Sequence, residues 1–250
     1  VETDSRRVIQ ELSAAPVRNV GAIGFFSNYP VERFYREGDS LLVTGRSDEL
    51  WGYLSGNSKN ELGALVKRAR PDISCFACIE QWMRPIVVMR RPVISELTTM
   101  RLYYPPTRPL PEGPFYTEQL CAQDIPAVCG YSHYAAYISR SYIEDRISRG
   151  FSACVRKNGQ LVAWGLTHDE DSIGNLHVLP EWRRHGYGRR IVASLMAQIR
   201  EAGRIPVMNV EPSNTASLEL ARSLGFQEDR LIGWVKLAKT VPESTVSREG

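Results

Sequence analysis

Apolar positions along this chain recur with two periods, and the change of period marks its elements. Ile191, Val192, Leu195, Met196 and Ile199 fall at helical spacing, so a helix is predicted from about Gly188, capped by Gly203 with Pro206 beyond it. Ahead of it the runs Phe151 to Val155 and Leu161 to Thr167 flank Lys157-Asn158-Gly159. Asn-Gly between apolar runs predicts a hairpin, because both turn residues must accept positive φ. A turn at Asp169-Glu170-Asp171 leads into a strand from Ile173 to Leu179. Beyond the helix, Arg204 to Val210 reads as a strand and Asn214 to Leu224 as a helix. Gly225-Phe226 then opens a closing pair of strands to about Leu237. Phe115 to Leu120 reads as a short strand, and Ala122 to Val128 and Ala135 to Ser148 as helices, the second ending at Gly150.

The first half alternates in the same way with weaker signals. Ser5 to Ala14 reads as a helix, Val20 to Phe26 and Ser40 to Thr44 as strands, and Ser58 to Ala69 as a helix stopped by Pro71. Pro92 to Tyr103 carries strand-like content. Between the halves, Tyr104 to Pro114 holds five prolines in eleven residues, the composition of a semi-rigid linker. The expected organisation is an N-terminal α/β domain over 1–104, a linker over 105–114, a second domain over 115–240 and a disordered tail over 241–250.

Composition changes this picture little. Hydrophobic content of 43% and charged content of 24% are ordinary for a globular chain, and a net charge of +3 is too small to imply nucleic acid. No apolar run reaches membrane-spanning length and no basic-then-apolar start resembles a signal peptide, so no membrane partner and a cytoplasmic setting are expected. Five cysteines, an odd number, fit a reducing compartment. Cys75-Phe76-Ala77-Cys78 sits in the apolar run Ile73 to Ile79 and reads as core, and no second such pair completes a zinc site. His133, His168, His177 and His185 show no metal spacing, so no metal is expected.

Chemistry concentrates at Val178-Leu179-Pro180-Glu181-Trp182-Arg183-Arg184-His185-Gly186-Tyr187-Gly188-Arg189-Arg190. Here a strand runs through an arginine-rich turn into a helix start, where unpaired N–H groups and the positive dipole end favour an anion. Gly186 and Gly188 remove Cβ atoms that would hold a ligand off the backbone. Arginine forks match phosphate oxygens, and the ligand expected at this turn is a pyrophosphate.

That turn, with the order of elements around it, resembles the GNAT superfamily of acyl-CoA N-acyltransferases. Its Arg/Gln-x-x-Gly-x-Gly/Ala signature stands here as Arg183-Arg184-His185-Gly186-Tyr187-Gly188, after Leu176-His177-Val178-Leu179-Pro180-Glu181. A second motif follows as Asn214-Thr215-Ala216-Ser217 and Leu224-Gly225-Phe226. The resemblance covers about Phe115 to Leu237. The N-terminal half, with Asn28-Tyr29-Pro30 and Trp51, more distantly resembles the first domain of two-domain members such as glycine N-acyltransferase. The fold implied is α/β (α+β), a mixed, mostly antiparallel sheet flanked by helices, with a smaller N-terminal domain that is a degenerate copy of the second.

The resemblance implies acetyl-CoA or another acyl-CoA as cosubstrate, held in a V-shaped gap between the strand ending at Leu179 and the strand at Ile205 to Val210. The implied cofactor-binding residues are Leu176, Val178, Arg183, Arg184, His185, Gly186, Tyr187, Gly188, Arg189, Asn214 and Ser217. The implied reaction is attack of an amine on the thioester. An alkylammonium of pKa about 10 must first lose a proton, and the candidate bases are His177 and Glu181, with Glu211 third. The Val178 backbone N–H is the candidate oxyanion donor. Asn175 alternates with His177 along one strand, and Tyr131, Tyr134 and Tyr137 fall in the region that covers acceptors in relatives. The family's usual proton-donating tyrosine is replaced by Ala221, which leaves Ser217, water or an unprotonated thiolate. The expected partner is a small-molecule amine acceptor, the assembly a monomer or homodimer. A non-catalytic acyl-CoA-binding protein and a protein lysine or N-terminal acetyltransferase remain as alternatives.

Overall fold

The structure, a computed structural model, describes residues 5–69, 73–113, 115–131 and 139–239. The expectations for Tyr134, Tyr137, 135–138 and the tail 241–250 lie outside the described residues. The described residues fall into two compact units, one within 31–98 and 232–239 and the other within 5–30 and 99–231.

In the first unit, β1 (Val31–Glu37), β2 (Ser40–Arg46) and β3 (Leu50–Ser55) form an antiparallel meander, and β4 (Cys75–Glu80) joins β3 in parallel. The parallel step needs a crossover, which α3 (Lys59–Ala69) supplies. Its Leu62, Leu65 and Val66 pack with Leu42, Phe76, Ile79 and Val235 in one core. A short α4 (Arg84–Val88) follows, and β5 (Val93–Tyr103) leaves the unit. Cys75, buried, and Cys78, half-buried, lie on β4, and neither is in a disulfide.

The second unit opens with α1 (Ser5–Leu12) and α2 (Val20–Asn28). The expected strand Val20 to Phe26 is therefore a helix. Its apolar run has no polar face because most of it is buried, and a short continuous apolar run fits a buried helix as well as a strand. Gly24 lets α2 approach the backbone of Glu170, where a Cβ would overlap the carbonyl oxygen. Residues 5–30 thus belong to this unit and not to an N-terminal domain.

The proline-rich segment is also part of this unit, not a free linker. Its carbonyls are occupied: Arg200 donates to Pro105 O (3.0 Å) and Pro106 O (2.7 Å), and Tyr104 Oη donates to Pro109 O at 2.6 Å. Beyond it, the expected strand Phe115 to Leu120 is reduced to one bridge, Glu118 to Cys154. A 3-10 turn (Ala122–Asp124) leads to α5 (Ile125–Gly130), and α6 (Arg140–Arg149) is capped by Ser139.

The hairpin appears as β6 (Ser152–Lys157) and β7 (Gln160–Thr167), and β8 (Ile173–Val178) adds antiparallel to β7. After α7 (Tyr187–Glu201), β9 (Val207–Val210) pairs antiparallel with β5 through Met100–Tyr103. Then come α8 (Thr215–Leu224) and β10 (Gln227–Leu237). The expected closing pair of strands is this single strand: Gly233 does not break it but lies where a Cβ would crowd the Leu97 carbonyl. Ile191, Leu195, Met196 and Ile199 of α7 pack on Ala153, Ala163, Met208 and Ala221, which fixes the strands against the helix. Within each unit the strands pair mostly antiparallel, β3 with β4 being the parallel step, and helices flank them, as the sequence implies.

Candidate active site

Two strands that should pair part company at the centre of the second unit. β8 and β9 run parallel and are joined by one bridge, Ser172 to Val207. Beyond it they diverge. The cause lies partly in β8 itself. Gly174 opposes Leu166 and His177 opposes Trp164, so Asn175 and Leu176 together face Gly165. This is a bulge, and Asn175 takes a left-handed φ of +46 to make it. The sequence gives no sign of it.

The parting leaves a cleft of about 120 Å³ whose walls include Asn175, Leu176 and His177 from β8 and Asn209, Val210 and Glu211 from β9. Asn214 and Ser217 close one side, and Val128, Tyr131 and Trp164 another.

The free edge of β8 offers backbone groups to this opening. Leu179 N–H donates to Val162 O at 3.0 Å, so the neighbouring pair Val178–Ala163 is of the non-hydrogen-bonded kind. The Val178 N–H and C=O therefore point away from β7. Its carbonyl accepts from Arg183 Nε at 3.2 Å.

At the strand's end a 3-10 turn (Pro180–Trp182) delivers the chain to α7. Arg184 (φ +64) and Gly186 (φ +79) are both left-handed. Reversals of this kind turn successive amides to one side and make an anion-binding concavity. The first helix-closing bond here runs from Arg190 N–H to Gly186 O at 3.0 Å. Among the described residues, the amides of Arg184 through Arg189 have no backbone acceptor. A Cβ on Gly186 would meet nothing within 4 Å, and one on Gly188 only Leu220 and Val178 at 3.6 and 4.0 Å, so the face is open. Arg183, Arg184, His185 and Arg189 are exposed around it. Arg189 donates to Ser223 O at 3.2 Å, and His185 Nδ1 lies 2.7 Å from Arg183 O. Tyr187 stands beside His185, ring centroids 6.2 Å apart.

The candidate bases separate. His177 lies in the cleft wall, stacked on Trp164 with centroids 4.7 Å apart and 5.1 Å from the Tyr131 ring. Glu211 lies in the wall too. Glu181 is exposed on the 3-10 turn and is not among the lining residues. Asn214 spends its side-chain oxygen on capping α8, accepting from Ser217 N–H at 3.1 Å. Ala221 is fully buried in the core, one turn beyond Ser217.

Two lining residues, His168 and Asn209, carry polar chemistry that sequence reading did not single out. His168 Nδ1 lies 3.0 Å from the Tyr142 hydroxyl. Burial holds the His168 imidazole below its usual pKa, with Asp169 opposing, and burial holds the Tyr142 phenol well above its own. Asn209 Nδ2 donates to Glu170 Oε1 at 3.2 Å. No local pattern marks these residues, which meet only through the turn between β7 and β8. Among the described residues no cluster of His, Cys, Asp or Glu fits a metal ion, and no helix is long and apolar enough to cross a membrane.

Residues 150–235 match the model of the FR47-like protein family. The chain is 27% identical over 101 residues to the ribosomal protein bS18-alanine N-acetyltransferase of Escherichia coli K12, covering 39% of this chain and 68% of that one. The enzyme of the same name from Salmonella typhimurium is 25% identical over 116 residues, covering 44% and 78%. In fold the chain is similar to a Drosophila protein of known structure, with a TM-score of 0.74 at 16% identity over 96% of this chain and 99% of that one. It is similar also to a GCN5-related N-acetyltransferase from Kribbella flavida, with a TM-score of 0.58 at 16% identity over 89% and 95%.

Proposed function

We propose that this chain, a member of the GNAT superfamily of acyl-CoA-dependent acetyltransferases, transfers an acetyl or longer acyl group to the amine of a small molecule or amino acid by direct attack. The observation that carries the reading is the parting of β8 and β9 with an amide-lined turn at the C-terminal end of β8. The diphosphate of the cosubstrate is assigned to the amides of Arg184 through Arg189. Its pantetheine arm is assigned to the cleft, along the free edge of β8 at Val178.

The chemistry follows from that placement. The acceptor reaches the thioester as an ammonium and must lose a proton to attack. His177 is the proposed base, since an imidazole titrates near neutral pH and this one lies in the cleft wall. Glu211 is the second choice, and exposure argues against Glu181. The Val178 N–H, turned from β7, is the proposed donor to the developing oxyanion. With alanine at 221, the thiolate leaves unprotonated or takes a proton from water or Ser217.

The test is thiol release from acetyl-CoA against a panel of amines. His177→Ala is expected to lower turnover about a hundredfold or more while acetyl-CoA still binds. Full activity in that variant removes His177 from the mechanism, and no thiol release with any amine favours a binding protein. The names of the bacterial relatives favour one second reading, a protein N-terminus as acceptor. Peptides beginning with alanine belong in the panel for that reason.

A further inference from the structure

Asn209 sits on β9 between Met208 and Val210, both of which face the core shared with α7. Alternation turns Asn209 to the opposite face, together with Glu211. Its amide is held from behind. Nδ2 donates to Oε1 of Glu170, a buried carboxylate that also accepts from Ser172 Oγ at 2.5 Å. Reversing the amide would set its oxygen against that carboxylate, so the orientation is fixed by charge. Oδ1 is enclosed in the structure and has no hydrogen-bond partner. Asn209 lines the cleft. A carbonyl oxygen kept dry and unpaired is costly, and one held in place by a buried carboxylate is an acceptor site for a donor that arrives with a ligand.

We infer that Asn209 is an acceptor-binding residue whose side-chain oxygen takes one N–H of the attacking amine, so that the site selects primary amines over secondary amines and alcohols. Glu170 is its positioning residue. The inference rests on the acyl-transfer reading above. A neutral primary amine carries two hydrogens and a lone pair. The lone pair forms the C–N bond at the thioester carbon, the C–S bond breaks, and its electron pair leaves on sulfur as thiolate. One nitrogen proton passes to the base. The other stays in the amide product, on Asn209 Oδ1, throughout. A secondary amine has one hydrogen and an alcohol one. Each must surrender it to the base, which leaves Asn209 with nothing to accept in the product.

The experiment measures thiol release from acetyl-CoA with propylamine, glycine and L-alaninamide, each beside its N-methyl counterpart, and with propanol. The wild-type protein is expected to favour the primary amine over its N-methyl form and over propanol by about tenfold or more in kcat/KM, the worth of one hydrogen bond. Asn209→Thr keeps a donor for Glu170 on a residue suited to a strand and removes the amide oxygen. It is expected to slow the primary amine by about tenfold, to lower the ratio of primary to N-methyl rates accordingly and to keep acetyl-CoA affinity within about twofold. Glu170→Gln frees the Asn209 amide to reverse, and is expected to lower the same ratio. Where Asn209→Thr fails to bind acetyl-CoA, the Glu170→Gln ratio decides. Equal use of primary and N-methyl amines by the wild type, or a ratio unmoved in the deciding variant, overturns the inference while acyl transfer stands. Absence of thiol release with every amine overturns acyl transfer itself.

Discussion

Ser172 and Val207 are joined by an isolated parallel bridge, and from that point β8 and β9 separate. The two strands leave paired backbone behind and gain a cleft, with the bulge at Asn175 on one wall and Asn209 on the other. The function proposed for the protein depends on this parting and on the turn that follows β8.

The turn can be tested alone. Gly186 has φ +79, where a β-branched residue costs about 1–2 kcal/mol in backbone strain, and its open face is where the diphosphate is assigned. Gly186→Val is expected to weaken acetyl-CoA binding by about tenfold or more in isothermal titration. Because a Cβ there meets no protein atom within 4 Å, the loss of thermal stability should be modest. Unchanged affinity would remove the ligand from this turn.

Gly24 lies on a helix that reads as a strand in the sequence. A Cβ there overlaps the backbone of Glu170, so Gly24→Ala is expected to destabilise the protein by about 1–3 kcal/mol despite alanine's better helix propensity. Thermal unfolding measures it. A variant as stable as the wild type, or more so, would contradict the packing of α2 on the turn between β7 and β8.

Ala221 replaces the tyrosine usual at that position in the superfamily. Its side chain is fully buried beside Val210, Leu218 and α7, not in the cleft. Restoring the residue should therefore not restore a proton donor. Ala221→Tyr is expected to lose stability by overpacking, about 1–3 kcal/mol, with no gain in turnover. A stable and faster variant would show that the position reaches the thiolate.

His168 ties stability to pH. Burial lowers its folded pKa below the unfolded value of about 6.5, so the unfolded chain binds the proton more readily. Its contribution to stability is complete above about pH 6.5 and is lost as pH falls through the folded pKa, at no more than about 1.4 kcal/mol per pH unit. Denaturant unfolding between pH 7 and 5 is expected to show this slope in the wild type and a shallower one in His168→Gln. An equal slope in both would place the titration elsewhere.

What was legible in the chain follows from the range of the forces involved. The hairpin was readable because Asn158-Gly159 encodes its turn locally, and α7 because Ile191 to Ile199 repeat at its own period. The phosphate turn was readable because its glycines and arginines are contiguous. Val20 to Phe26 was not, since a segment buried on all sides loses the period that would identify it. The proline-rich segment read as a linker because its partners, Arg200 and Gly225, lie far along the chain. The bulge at Asn175 and the bond between Glu170 and Asn209 depend on register and tertiary approach, which single positions do not encode.

The most direct measurement is a crystal structure of the full chain with coenzyme A. The diphosphate is expected against the amides of Arg184 through Arg189, with the pantetheine arm between β8 and β9 and its sulfur near Val178. Coenzyme A bound elsewhere, or a cleft that stays closed to it at saturating concentration, would contradict the account.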